Sequence, residues 1–217
     1  LISYFSNITY DYKKKYLLSI NLRRDGLSAL AEGNKFGNFG GAAAGWNIYE
    51  EGFFKKSFLS KVVGNLKIRA SYGVVGNSEI GDYAAIGTYS SNTYGGAPTL
   101  AFSQVANPNL KWETGKKTDI GLNFTLLNER VAVEFDYYNN KTDGVILKTP
   151  QALSAGIPGN YINTNAGSLY NKGIELNVSA VITNYSNFKW NVNFNISTLK
   201  NQVTSLVADV FVPSVFG

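Results

Sequence analysis

Glu134 and Asp136 stand two residues apart in "VAVEFDYY", the first pair in this chain with the makings of chemistry. In an extended chain residues i and i+2 share a face, and glycosidases hold their two carboxyl groups roughly 5 to 10 Å apart. Catalysis is nevertheless the weaker reading, because lysine and arginine of the same parity on other segments offer simple charge compensation. "GVVGN" (73–77) lacks the Lys-Ser/Thr pair that would hold nucleotide and magnesium. "GAAAG" (41–45) has small-xxx-small spacing but no apolar 20-mer around it, so it reads as a smooth strand surface. The Asn-x-Ser triplets at Asn177 and Asn195 follow from alternating small polar residues rather than from glycosylation. The chain has no histidine and no cysteine, which removes the commonest general base, the usual zinc ligands and any disulfide framework. No enzyme activity, metal or cofactor is expected. The 20 basic and 15 acidic residues are scattered, which argues against a nucleic-acid groove.

The elements that must position these groups are strands. The inventory of 14 Tyr, 13 Phe and 22 Gly against 5 Pro favours sheets and turns. Alternation recurs along the chain: Tyr16, Leu18, Ile20 and Leu22; Leu66, Ile68, Ala70 and Tyr72; Ile120, Leu122, Phe124 and Leu126; Val131, Val133, Phe135 and Tyr137. It continues with Ile174, Leu176, Val178, Ala180 and Ile182, and with Phe188, Trp190, Val192, Phe194 and Ile196. A first strand over 4–12 and a Gly/Ala-rich one over 35–48 bring the count to eight.

Charge placement and length bear on which solvent meets the apolar side. Arg23, Lys67, Arg69, Lys117, Asp119, Glu134, Asp136 and Glu175 all fall on the polar parity. Lipid demands this, since Lys or Arg at mid-depth costs about 2 to 4 kcal/mol, although a soluble sandwich also segregates its faces. The alternations run for about nine residues or more, the span of a tilted membrane strand. "YKKKY", "LLNER" and "TNYSN" are tight turns, while 25–34, 76–111 and 143–167 read as long loops, the habit of outer-membrane barrels. The spacing of 49–64 predicts a short amphipathic helix at the short-turn rim. Tyr10, Tyr12, Tyr16, Trp46, Trp112, Tyr137, Tyr138 and Trp190 are candidates for interfacial girdles. No segment is a transmembrane helix, and neither the opening residues nor "VFVPSVFG" at the end reads as a chain terminus, so a piece of a longer protein is expected.

Several ordered motifs then add a resemblance. "NLRRDG" (21–26), "AGWNIYEEGF" (44–53), "LKIRASYGVVGNSEIGDYA" (66–84), "NPNLKWE" (107–113), "DYYNNKTD" (136–143) and "NKGIELNV" (171–178) together resemble the C-terminal barrel part of SusC-like (RagA-type) TonB-dependent outer-membrane transporters of Bacteroidetes-type bacteria. The run before Gly45-Trp46 departs from the family, with Gly and Ala in place of a Phe-Pro-Ser-type stretch. The resemblance implies an all-β fold: residues 1–217 as an antiparallel transmembrane segment of eight to ten strands from a barrel of about 22. It also implies an N-terminal plug domain, a signal peptide and final strands outside this sequence. Function is implied with it: import of glycans, oligosaccharides or peptides across the outer membrane of a Gram-negative bacterium. A SusD-like surface lipoprotein would close the mouth, and the TonB complex would pull on the missing N-terminal region. Two other classes stay open on the residues alone, a small self-contained outer-membrane barrel or adhesin and a soluble carbohydrate-binding β-sandwich.

Contact residues follow from composition. Asn191, Asn193 and Asn195 present amides on the polar side, able to pair with water, plug backbone or substrate hydroxyls. Tyr89 and Tyr94 lie in "GTYSSNTYGGAPTLAF", whose Tyr, Ser, Asn and Gly suit recognition of a sugar or a partner's surface.

Overall fold

A computed structural model describes residues 2–77 and 79–206. Eight strands form one antiparallel sheet: β1 (Ile2–Tyr12), β2 (Tyr16–Gly26), β3 (Phe36–Asn47), β4 (Val63–Asn77), β7 (Glu113–Leu126), β8 (Val131–Pro150), β9 (Tyr161–Tyr185) and β10 (Phe188–Leu206). They pair in that order as a meander, and between β4 and β7 a separate hairpin is inserted, β5 (Thr88–Tyr94) with β6 (Ala97–Gln104). Helix α1 (Gly52–Lys56), flanked by two 3₁₀ turns, fills the β3–β4 connection at the short-turn rim, as the spacing of 49–64 predicts. Among the described residues no helix is long and apolar enough to cross a membrane, which says nothing of strands. "VFVPSVFG" lies outside the described residues.

Three corrections to the sequence reading concern the long-loop rim and the girdles. β8 and β9 run on through most of 143–167, leaving only 151–160 as loop. The bulge at Gly144, with φ 68°, redirects β8 partway along this extension. The 76–111 connection carries the β5–β6 hairpin, turned by Gly95 and Gly96 at φ 58° and 83°, the two positive values a type I′ turn requires. The girdle expectation has three of its candidates, Tyr12, Tyr16 and Trp46, stacked in succession at the short-turn rim with ring centroids 6.4 Å apart. It fails for Trp112, which packs edge-on against Phe39 at 5.2 Å, and for Tyr138, which shares its cross-strand row with Asp119 on the polar face.

Directly opposed residues project to one face, so the pairing converts alternation into rows. One apolar row runs Tyr12, Tyr16, Trp46, Ile68, Leu122, Phe135, Leu176, Ile196 across all eight strands. The apolar block is staggered. On β2 it covers Leu22, Ile20, Leu18 and Tyr16, but on β8 the partners of Leu22 and Ile20 along the row are Lys141 and Asn139, and the block begins two rows lower at Tyr137. On β10 it begins one row lower still, at Ile196. Strands inclined at about 35–45° to a barrel axis need this stagger if the apolar band is to stay level. No second layer covers the band among the described residues, where Ile68, Ile120, Phe135, Phe194 and Ile196 remain 39 to 55% exposed. Among the described residues the sheet does not close, because β1 pairs only with β2 and β10 only with β9.

The compact core lies at the long-loop rim. Leu30 and Leu110 are fully buried with Ala31, Ala84 and Ala85, and Leu27, Ile80, Trp112 and Ile146 pack around them. This cluster ties the β2–β3 connection to both flanks of the hairpin, so these loops fold as one cap.

Candidate functional site: the polar face of the wall

Apart from the Arg23–Asp25 pair on β2, the ion pairs of the polar face gather into one cluster around Arg69. Arg69 on β4 points across β7 toward β8; its Nη1 lies 2.9 Å from Asp119 Oδ1, and its Nη2 lies 3.1 Å from Glu134 Oε1. The same Nη2 is 2.5 Å from Asp136 Oδ1, within ion-pair distance but off the N–H direction. Arg69 Nε donates to Asn123 Oδ1 at 3.1 Å, and Asn123 Nδ2 donates to Glu134 Oε1 at 3.1 Å. Sequence spacing raised Glu134 and Asp136 as a carboxylate pair, and the structure turns both onto one guanidinium nitrogen, which serves charge compensation. Room for the guanidinium comes from Gly121, whose absent Cβ would overlap Asp136 Oδ1 and sit 2.6 Å from Arg69 Cζ.

Rows of amides and hydroxyls flank the cluster. Asn195 opposes Asn177, which opposes Glu134, Asn123 and Lys67 in turn; Asn193 opposes Ser179, and Asn191 opposes Val181. The three asparagines therefore share the polar face near the short-turn rim, exposed on edge strand β10. Tyr89 and Tyr94 sit at the other rim. Tyr89 packs on Phe102 across the hairpin with centroids 5.3 Å apart, and both tyrosines are strongly exposed, at 67% and 84%. The structure thus brings Tyr89 and Tyr94 together on one hairpin and Asn191, Asn193 and Asn195 together on one strand, at opposite ends of the wall. Among the described residues no group of acidic side chains has the arrangement of a metal site.

Spacing alone did not reveal the clamp that seats the cap. Asn107 opens the "NPNLKW" turn by accepting from Asn109 N–H at 3.0 Å, and its Nδ2 donates to the Asn163 carbonyl at 2.7 Å. Asn165 on β9 accepts from Lys111 N–H at 3.0 Å and donates to the carbonyls of Lys111 and Gly144 at 2.8 and 2.9 Å. Phe39 projects over Gly37 and Gly76, where any Cβ would collide with its ring, and so reaches Trp112 at the base of the cap.

At the short-turn rim Glu51 gathers Lys15 Nζ at 2.8 Å, Tyr16 Oη at 2.7 Å and Trp46 Nε1 at 3.2 Å. The Lys15 ammonium foremost, then the Tyr16 hydroxyl and, more weakly, the Trp46 indole, holds the Glu51 carboxyl down at about 2.

Comparison with known proteins places this geometry. The family model described as TonB dependent receptor-like, beta-barrel, matches residues 2–211. TonB-dependent receptor P3 of Formosa agariphila is 34% identical over 223 residues, covering 100% of this chain and 22% of that protein. TonB-dependent receptor SusC of Bacteroides thetaiotaomicron is 32% identical, covering 95% and 21%. Among solved structures, the RagAB peptide importer in its closed-closed state superposes with a TM-score of 0.87 at 26% identity, over 98% of this chain and 23% of that one. The siderophore receptor PirA from Pseudomonas aeruginosa shares the fold alone, with a TM-score of 0.56 at 14% identity over 93% and 34%. The chain spans about a fifth of the length of the curated relatives it matches.

Proposed function

The chain belongs to the TonB dependent receptor-like β-barrel family, and from that premise we propose that it forms one stretch of the wall of an outer-membrane importer for glycans, oligosaccharides or peptides. The observation that carries this reading is the staggered apolar band. Eight strands share it, no charged side chain lies within it, and its descent across the sheet is what an inclined barrel wall in lipid requires. The polar face then turns toward a lumen of a barrel of about 22 strands. Arg69 and its carboxylates, with Asn191, Asn193 and Asn195, form wetted wall against a plug supplied by the rest of the parent protein. The hairpin and its cap stand at the outer mouth, where Tyr89 and Tyr94 are the contact residues for substrate or for a SusD-like lipoprotein. Energy comes through TonB acting on the region ahead of this chain. Likeness to the RagAB peptide importer supports peptide as a substrate class, while glycan rests on the resemblance of the sequence motifs.

Two measurements on the intact parent protein test this. Spin labels at Val133 and Val192 should be accessible to oxygen and shielded from a water-soluble nickel chelate. Cells carrying the gene should accumulate labelled oligosaccharides or peptides that gene-deleted cells do not, and uptake should stop when the proton gradient is collapsed. Labels that read water sink the membrane reading; labels in lipid with no gradient-dependent uptake sink the transport reading.

A further inference from the structure

Just above the apolar band, on the same outward face, two pairs of lysines stand directly opposite one another. Lys172 opposes Lys200 between β9 and β10, and Lys116 opposes Lys141 between β7 and β8, one row further toward the long loops. Like charges in directly opposed positions destabilise a sheet, so each pair calls for a counter-ion. The upper pair has one: Asp143 takes Lys116 at 3.0 Å and Lys141 at 3.3 Å. The lower pair has none, since among the described residues neither Lys172 nor Lys200 forms an ion pair, and Lys172 instead hangs its ammonium 5.1 Å from the Tyr170 ring centroid. Four lysines thus share a single carboxylate.

Height identifies what neutralises them. Lys172 is one row above Ile174, the top of the apolar band on β9, while Lys116, Lys141 and Lys200 are two rows above the first apolar residue of their own strands. A row is two residues, about 6.7 Å along a strand and about 5 Å along the normal of an inclined wall. The ammonium groups therefore reach the layer of headgroups that flanks the hydrocarbon, about 5 to 8 Å deep on each side. Resting on the reading that the apolar face meets lipid, we propose that Lys172 and Lys200, assisted by Lys116 and Lys141, bind the phosphate of an anionic lipid in the leaflet at the long-loop rim. Tyr170 and Gln202, in the next row beside them, offer a hydroxyl and an amide to the same headgroup; Tyr170 Oη already donates to Gln202 Oε1 at 2.6 Å.

The test uses the intact parent protein in detergent, titrated with phosphatidate or with diacylglycerol, bound lipid being counted by native mass spectrometry. Phosphatidate should bind in preference to diacylglycerol, and the double variant Lys172→Gln, Lys200→Gln should lose about thirtyfold in phosphatidate affinity while leaving diacylglycerol unchanged. Lys172→Arg, which keeps the charge, should retain binding. In lipid-free detergent the double variant should unfold at the same temperature as the parent protein or higher, because an opposed like-charge pair has been removed. Equal affinity of the double variant and the parent protein, or equal binding of the two lipids, overturns the site. Inorganic phosphate that displaces phosphatidate on equal terms overturns the lipid in favour of a free anion. A spin label at Val133 distinguishes the levels: water there sinks the membrane reading itself, whereas lipid there without phosphate preference sinks only the lysine site.

Discussion

The Asn165 carboxamide engages both main-chain groups of Lys111, accepting its N–H at 3.0 Å and donating to its carbonyl at 2.8 Å. A side chain thereby completes the hydrogen bonding that a neighbouring strand would otherwise supply, at the point where the cap descends into β7. Leu110, one residue earlier, is fully buried in the cap core, so the clamp and the core hold the same turn.

Asn165→Ala should strip this turn of two hydrogen bonds and the Gly144 carbonyl of a third, and cost about 1 to 3 kcal/mol, felt locally. Hydrogen exchange over 105–112 should accelerate while the middles of β7 and β8 stay protected. Uniform acceleration across the sheet would contradict a local clamp.

Gly121→Ala should drive a methyl group into the Arg69–Asp136 contact and destabilise the wall by about 1 to 3 kcal/mol, since Arg69 cannot retreat without loosening its bonds to Asp119, Asn123 and Glu134 and Asp136 is buried. Adding Asp136→Ala should return part of that loss. Denaturant unfolding of the four variants as a double-mutant cycle checks it, and strict additivity would show that the two sites do not meet.

Glu51 makes the short-turn rim acid-sensitive. Its carboxyl is held at about 2, below the ordinary 4.5, so the tie to Lys15, Tyr16 and Trp46 is fully present above the ordinary value and is lost as pH falls through the folded one. Amide exchange over 13–16, corrected for intrinsic rates, should stay slow down to about pH 4.5 and rise toward about pH 2. Glu51→Gln should flatten that profile.

Val133→Arg should cost about 2 to 4 kcal/mol in a bilayer, whereas Thr125→Arg on the opposite face of the same wall should cost little. Reversible unfolding of the parent protein in phospholipid vesicles measures both. Similar costs at the two positions would mean that the faces see the same medium.

All eight wall strands were legible in the sequence, six of them because sustained alternation leaves few competitors to a strand, while β1 and the Gly/Ala-rich β3 follow the pattern less cleanly. The cap was not. Thr88, Ser90, Asn92, Ser91 and Thr93 are polar on both parities, so β5 has no periodic signal, and the Gly95-Gly96 turn was the only local clue to the hairpin. The outer halves of β8 and β9 escaped for another reason: beyond the apolar band the cap packs against them, with Ile146 on its core and Thr149 and Ala166 buried, and the alternation set by the band fades where the strand does not. Charge compensation of Glu134 and Asp136 was readable from parity, but the identity of Arg69 as the shared partner needed the pairing register between β4, β7 and β8. Asn165 gave no sign, since a carboxamide that substitutes for a strand is one polar residue among many until the chain is folded.

The staggered band also polices alignment between neighbours. Sliding one ribbon past the next by two residues would leave every side chain on its proper flank, so alternation alone permits the error. What such a slide between β8 and β9 changes is altitude: Lys172 would sink to the level of Tyr137, where the greasy zone begins, and a charge would be left without water. Correct assembly of this wall is thus proofread by depth as well as by sidedness.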